Sequence, residues 1–134
     1  ADGLLSTVRD IATADAFDDV LDQAEHLLGR GYHLPAAALA GAVLEDTLRR
    51  VCTRLKCLPK GTPAISSLNG ALYKLHQAGQ FDGYTNTVQK QITAWGGLRN
   101  DVDHHNFTNP DDIDPHDVKR MLEGVRDFIA KHLT

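Results

Sequence analysis

The stretch Asp114-Pro115-His116-Asp117-Val118-Lys119-Arg120-Met121-Leu122-Glu123-Gly124-Val125-Arg126-Asp127-Phe128-Ile129-Ala130-Lys131-His132-Leu133 decides the fold class. Val118, Met121, Leu122, Val125, Phe128, Ile129 and Leu133 recur at steps of three and four, which places them on one face of an α-helix. The start of that helix is equally marked. Asp114 has a carboxylate suited to accept from first-turn N–H groups, Pro115 is pre-set for the first helical position, and Asp117 complements the positive end of the helix dipole.

Towards the amino terminus the same period returns in segment after segment. Val88, Ile92, Trp95, Leu98 and Val102 make a second stripe, followed by a polar loop from Asn106 to Asp114 with an Asn109-Pro110 turn. Leu68, Leu72 and Leu75 mark a shorter helix, with Ser66 or Ser67 as its cap and Gly79 at its end. Gln80 to Tyr84 reads as a loop, and Leu58-Pro59-Lys60-Gly61-Thr62-Pro63 as a turn. A helix beginning at Pro35 runs through Ala40, Leu44, Leu48, Val51 and Leu55. Its small residues Ala36, Ala37, Ala38, Ala40, Gly41 and Ala42 let neighbours approach closely, which predicts a central place in a bundle.

Leu4 to Leu28 carries Val8, Ile11, Val20, Leu21, Ala24 and Leu28 at helical spacing. It is one helix, or two broken near Ala14-Asp15 with Asp15 capping the second, and Gly29 or Gly31 ends it. No segment alternates with period two for long enough to be a strand. The expected fold is all-α: an up-and-down antiparallel bundle of four main helices plus a short extra helix. One domain spans 1–134, either alone or as one domain of a longer protein.

Composition narrows the function classes. A net charge of −4 over 134 residues argues against a surface that grips nucleic acid everywhere. It leaves room for a local basic patch such as Arg49, Arg50, Arg54, Lys56 and Lys60, whose ordinary role is as solvated cations near a helix C-terminus. The apolar run around Leu34 to Leu44 is too short and mild for a membrane span, and Asp2 and Asp10 stand where a secretory signal would be basic. A cytoplasmic protein without membrane association is expected. Cys52 and Cys57 fit neither CxxC nor half a zinc ribbon, and both are expected on one helix as free thiols. His104, His105 and His116 lie among aspartates in a loop without a recognised ligand spacing, and no ExxH pair occurs, so no metal or other cofactor is expected.

The stretch Trp95-Gly96-Gly97-Leu98-Arg99-Asn100-Asp101-Val102-Asp103-His104-His105 breaks the apolar pattern with groups that can act on a phosphate. Arg99 follows Ile92 by seven residues and Trp95 by four, so it projects along the apolar stripe. A guanidinium there needs a carboxylate or a ligand. Glu45 is the internal candidate; the alternative is an ordinary surface pair of Glu45 with Arg49, with Arg99 answered by a nearby aspartate. On a regular helix His104 lies about 140° from Arg99, and the two converge only if the helix loosens near Asn100 to Asp103. Together, an arginine and a neutral-range histidine suit metal-independent RNA cleavage, one steadying the phosphate and the other moving a proton. The ordinary alternative is a histidine that caps a helix end.

The run Leu44-Glu45-Asp46-Thr47-Leu48-Arg49, then Lys90-Gln91-Ile92-Thr93-Ala94-Trp95, then Leu98-Arg99-Asn100-x-x-x-His104, then Asp117-Val118-x-x-Met121-Leu122-x-Gly124-Val125-Arg126, resembles the HEPN superfamily of helical domains. It is similar in particular to members whose signature reads RNxxxHG, over about Pro35 to Leu133. The resemblance implies a bundle that is usually a homodimer, with the Arg-x4-6-His motif near the interface. In active members that motif is a metal-independent endoribonuclease, often a toxin or a defence protein. Carried over, Arg99 would steady the phosphate, Asn100 would orient the site and His104 would be the acid/base. His105 stands where a glycine is usual, so Arg99-x5-His105 reads equally well. A tyrosine found beyond the histidine in some toxins is absent, with Phe107 nearby. RNA and a protein partner such as an antitoxin are the partners this implies. A non-catalytic module for dimerisation or partner binding is the alternative, with Arg99 and His104 holding a helix end. The crowd of Asp101, Asp103, Asp111, Asp112, Asp114 and Asp117 favours that alternative, since these charges repel a polyanion.

Overall fold

The computed structural model describes the backbone of residues 2–104 and 112–133, and the side chains of residues 13–104 and 112–133. The α-helices among these residues are five: α1 (Asp2–Gly29), α2 (His33–Arg54), α3 (Ile65–Gln77), α4 (Asn86–Asp103) and α5 (Pro115–His132). No strand occurs among the described residues, so the domain is an all-α bundle in which α3 is the short extra helix. The Asn109-Pro110 turn and the side chains of Val8 and Ile11 lie outside the described residues.

Local chemistry sets most helix ends. Thr85 caps α4 through its side chain, which accepts from the Val88 N–H, and Asp114 caps α5 by accepting from the His116 N–H at 2.9 Å. α1 is continuous through Ala14 and Asp15 and ends in a Schellman turn. There Gly31 takes φ +86°, its N–H bonds the Leu28 carbonyl, and the Tyr32 N–H bonds the Leu27 carbonyl at 2.9 Å. Gly31 is therefore the residue beyond the helix end, and Gly29 belongs to the helix.

That turn delivers the chain directly into α2, which begins at His33 rather than at Pro35. Pro35 sits within the first turn, where its missing N–H has no intrahelical partner to lose. α3 starts at Ile65 after an extended Ala64 with no side-chain cap, and Ser66 and Ser67 lie exposed inside its first turn rather than at its cap. At its far end Gly79 adopts φ +75°, as the sequence leads one to expect.

α2 packs against each of the other four helices; α1 and α5 pack on one another, as do α3 and α4. The central place predicted from small residues is thus occupied, with Ala36, Ala37, Ala40 and Gly41 buried, although Ala42 faces solvent. Leu44, Leu48, Val51, Leu72, Ile92, Met121 and Val125 fill the core between the helices without measurable exposure. Ile65 faces Gly96 while Asn69 bonds Gln89 and Thr93. As α3 advances its partner residue number on α4 falls, which makes the two antiparallel. Across α4 and α5, the Trp95 ring lies on Gly124, where a Cβ would collide with Cη2. Arg126 ties α5 to α1 through Asp18, Asp22 and Glu25, with its closest contact, to Asp22, at 2.6 Å.

A loop residue adds an unforeseen polar centre. Tyr84 is fully buried, and its hydroxyl donates to Asn69 Oδ1. The Asn69 amide in turn donates to the Gln89 carbonyl at 3.1 Å and to Thr93 Oγ1 at 3.0 Å. Burial, with Cys52 adding to it, pushes the Tyr84 phenol well above its usual range, so it stays a neutral donor.

Candidate functional site

The site is built where α4 crosses α2. α4 keeps its helical course to Asp103, so Ile92, Gly96, Arg99 and Asp103 follow one another along one side. Gly96 makes the approach to α3 feasible, since a Cβ there would meet Ile65 Cγ2 at 2.9 Å. Gly97 has open space around it, so only the first of the two glycines serves close packing.

Arg99 lays its aliphatic stem on Gly41. A Cβ at position 41 would lie 2.8 Å from Arg99 Cδ and 2.9 Å from Cγ, tighter than real contacts allow. Nη1 donates to the Gly41 carbonyl at 2.9 Å and to Glu45 Oε2, and Nε donates to Asp103 Oδ2 at 3.2 Å. Glu45 Oε1 accepts from Arg49 Nη2 at 3.3 Å, and Arg49 Nη2 also reaches the Pro63 carbonyl at 3.5 Å. Both sequence options for Glu45 are therefore realised at once, one oxygen to each arginine. The Arg99 and Glu45 side chains keep only 21% and 23% of their exposure, so the pair is partly desolvated and its charge is met by carboxylates.

An open groove of about 560 Å3 runs beside this pair between α3 and α4. Glu45, Asn69, Thr93, Arg99, Asn100 and Asp103 give it a polar lining, and Ile65 and Ile92 give it an apolar floor. Asn100 itself is exposed. Asn69 and Thr93 escaped the sequence reading, although a signal existed: Asn69 stands on the buried register of Ile65, Leu68 and Leu72, where an amide must find partners.

His104 occupies the C-cap of α4, its N–H bonded to the Asn100 carbonyl at 3.0 Å and its side chain exposed. Because the helix does not loosen before Asp103, His104 lies about 140° around from Arg99. It is not among the residues lining the groove. The structure thus brings Glu45, Arg99 and Asn100 together and leaves His104 of the same chain apart; His105 and Phe107 lie outside the described residues. Among the described residues, no group of three or more His, Cys, Asp or Glu side chains could hold a metal ion. None of the described helices is long and apolar enough to cross a membrane.

No protein-family model, curated protein or solved structure matches the chain. The chemistry of the site is therefore argued from its own atoms. What they offer is a guanidinium fixed by three acceptors at the edge of an open polar groove, with an amide beside it and an imidazole at the end of the same helix.

Proposed function

We propose that this chain is an HEPN-like up-and-down helical domain acting as a homodimeric, metal-independent endoribonuclease. Arg99 is the phosphate-steadying group, Asn100 the polar group beside it, and His104 or the adjacent His105 the acid/base. One observation carries the reading. Arg99 is locked at the groove by contacts of Nε and Nη1 to Asp103, Gly41 and Glu45, so a guanidinium is held in place to meet charge growing on a phosphate without rearrangement.

In such a site the ribose 2′-hydroxyl attacks the adjacent phosphorus as a base takes its proton. The 5′-oxygen then leaves with a proton from an acid, which gives a 2′,3′-cyclic phosphate and a free 5′-hydroxyl. Arg99 offsets the added negative charge, and a histidine moving the proton contributes about 10²–10⁴-fold. His104 of the same chain does not line that groove, so in this reading His104 serves it from a second copy across the dimer. A role as a toxin or in defence, held in check by a protein partner such as an antitoxin, accompanies this reading.

A second reading is favoured by a different observation: Glu45 and Asp103 already meet the charge of Arg99. In it the chain is a non-catalytic HEPN-like module for dimerisation or partner binding, and Arg99 clamps α4 to α2. RNA cleavage in EDTA and thermal melting of wild type, Arg99→Met and His104→Ala separate the two. Cleavage lost in both variants with His104→Ala melting unchanged supports the ribonuclease. No difference between wild type and His104→Ala on any RNA, with Arg99→Met chiefly lowering the melting temperature, sinks it in favour of the clamp.

A further inference from the structure

We propose that Cys52 and Cys57 form a reversible redox pair that closes to an intramolecular disulfide by exchange with a low-molecular-weight disulfide of the glutathione class. Sequence spacing alone points away from this, because residues five apart on one helix face different directions. Cys57, however, is not on the helix. α2 ends at Arg54, Lys56 takes φ +59°, and the chain folds back in a Schellman turn. In that turn the Lys56 N–H bonds the Thr53 carbonyl at 3.2 Å and the Cys57 N–H bonds the Cys52 carbonyl at 2.9 Å. Cys52 and Cys57 occupy the two positions whose side chains this turn brings together.

The backbone bond sets a limit on the separation. With standard bond lengths, a 2.9 Å contact between Cys57 N and Cys52 O keeps the two Cα atoms within about 6.8 Å. That is the upper end of the roughly 4.4–6.8 Å a disulfide spans. Both thiols are free in this structure, and they lie near enough for Cys57 to act on the ionisation of Cys52.

Their surroundings assign each thiol a part. Cys57 is half-buried and reachable, whereas Cys52 is fully buried and also directs its Sγ–H towards the Leu68 carbonyl at 3.7 Å. Burial first, then the charge and the hydrogen bond of Cys57, push the Cys52 thiol up to about 12. Cys52 is therefore a poor first nucleophile, and Cys57 is the entry point. Once Cys57 carries a mixed disulfide, its charge and hydrogen bond no longer oppose ionisation of Cys52.

The exchange balances in two steps. The Cys57 thiolate attacks one sulfur of the oxidised reagent, forming a mixed disulfide and expelling one thiolate. Cys52, giving up its proton, then attacks Cys57 Sγ and expels the second. Two protein thiols are oxidised and one reagent disulfide is reduced to two thiols. Closure removes the Cys52 donor from the Leu68 carbonyl, next to Asn69 in the groove lining, so the pair sits against the α2–α3 contact that shapes one wall of the site.

The test is intact mass and peptide mapping of the whole chain after incubation with oxidised glutathione. Wild type is expected to lose two hydrogens, retain no glutathione, show a Cys52–Cys57 linked peptide and revert with dithiothreitol. Cys52→Ser is expected to retain one glutathione on Cys57, and Cys57→Ser to stay unmodified. A serine in a fully buried site can itself unfold the domain, so Cys52→Ala is the companion variant, and the wild-type result stands without either. A stable glutathione adduct on wild-type Cys57, a cross-linked dimer through Cys57, or two unreacted thiols would each overturn the proposal.

Discussion

Removing Glu45 isolates the contact on which every reading of the site turns. In the folded domain Glu45 holds Arg99 with one oxygen and Arg49 with the other, and the Arg99–Glu45 pair retains about a fifth of its side-chain exposure. Exposed pairs contribute about 0.2–1 kcal/mol, whereas breaking a buried pair costs about 3–5 kcal/mol. This pair lies between those limits, and Arg99 keeps the Gly41 carbonyl and Asp103 when Glu45 is gone. Glu45→Gln is therefore expected to cost about 2 kcal/mol. At roughly 3–5 °C per kcal/mol for a domain of this size, the melting temperature falls by about 6–10 °C.

Arg99→Met is the partner variant, because it keeps an unbranched stem over Gly41 while deleting the charge. The double-mutant cycle of Glu45→Gln, Arg99→Met and the pair, followed by urea unfolding, is expected to give a coupling energy of about 1–2 kcal/mol. A coupling below about 0.5 kcal/mol would contradict this account of the pair. It would mean that water screens the pair as on an open surface, and that stem packing alone holds Arg99 on α2.

Other perturbations address other parts of the bundle. Lys56 is the one described non-glycine residue at positive φ, so Lys56→Gly should stabilise the domain by about 1 kcal/mol in urea unfolding; a loss of stability would show that the lysine side chain outweighs the backbone strain. Gly124→Ala drives a Cβ into the ring of the only tryptophan, and should cost about 1–3 kcal/mol and shift Trp95 fluorescence; unchanged stability and emission would contradict the ring-on-glycine packing. His132 stacks on Phe81 and Phe128, and burial, with the charges of Lys131 and Arg54 adding to it, lowers its pKa from 6.5 to about 4. The folded state thus prefers the neutral ring. Its contribution is fully present above pH 6.5 and is lost as pH falls towards 4, by about 3 kcal/mol at most. Wild type should lose more stability over that range than His132→Leu, and parallel pH profiles would show that His132 titrates normally.

The fold class was legible because it depends on local periodicity. The α5 stripe from Val118 to Leu133, the Asp114 cap and the central small residues of α2 are each written in neighbouring positions. Helix ends were less so, because the Gly31 turn starts α2 before its proline and Ala64 serves where a serine was expected. At the site, the register of α4 alone put Arg99 against the bundle, and the small residues of α2 pointed to Glu45 as its partner. That Glu45 divides its two oxygens between Arg99 and Arg49 needed the positions of two helices at once.

The turn that brings Cys57 back to Cys52 and the Asn69–Tyr84 bond were invisible in sequence for the same reason: a backward turn and a buried loop residue join groups that no helical period relates. Residue spacing along the chain was enough to show that it is helical, which faces are apolar, and that Arg99 must be answered. Which groups answer it, and that His104 of the same chain does not share its groove, came from how the helices pack. Periodicity is a property of one helix, whereas a charge partner is set by the crossing of two.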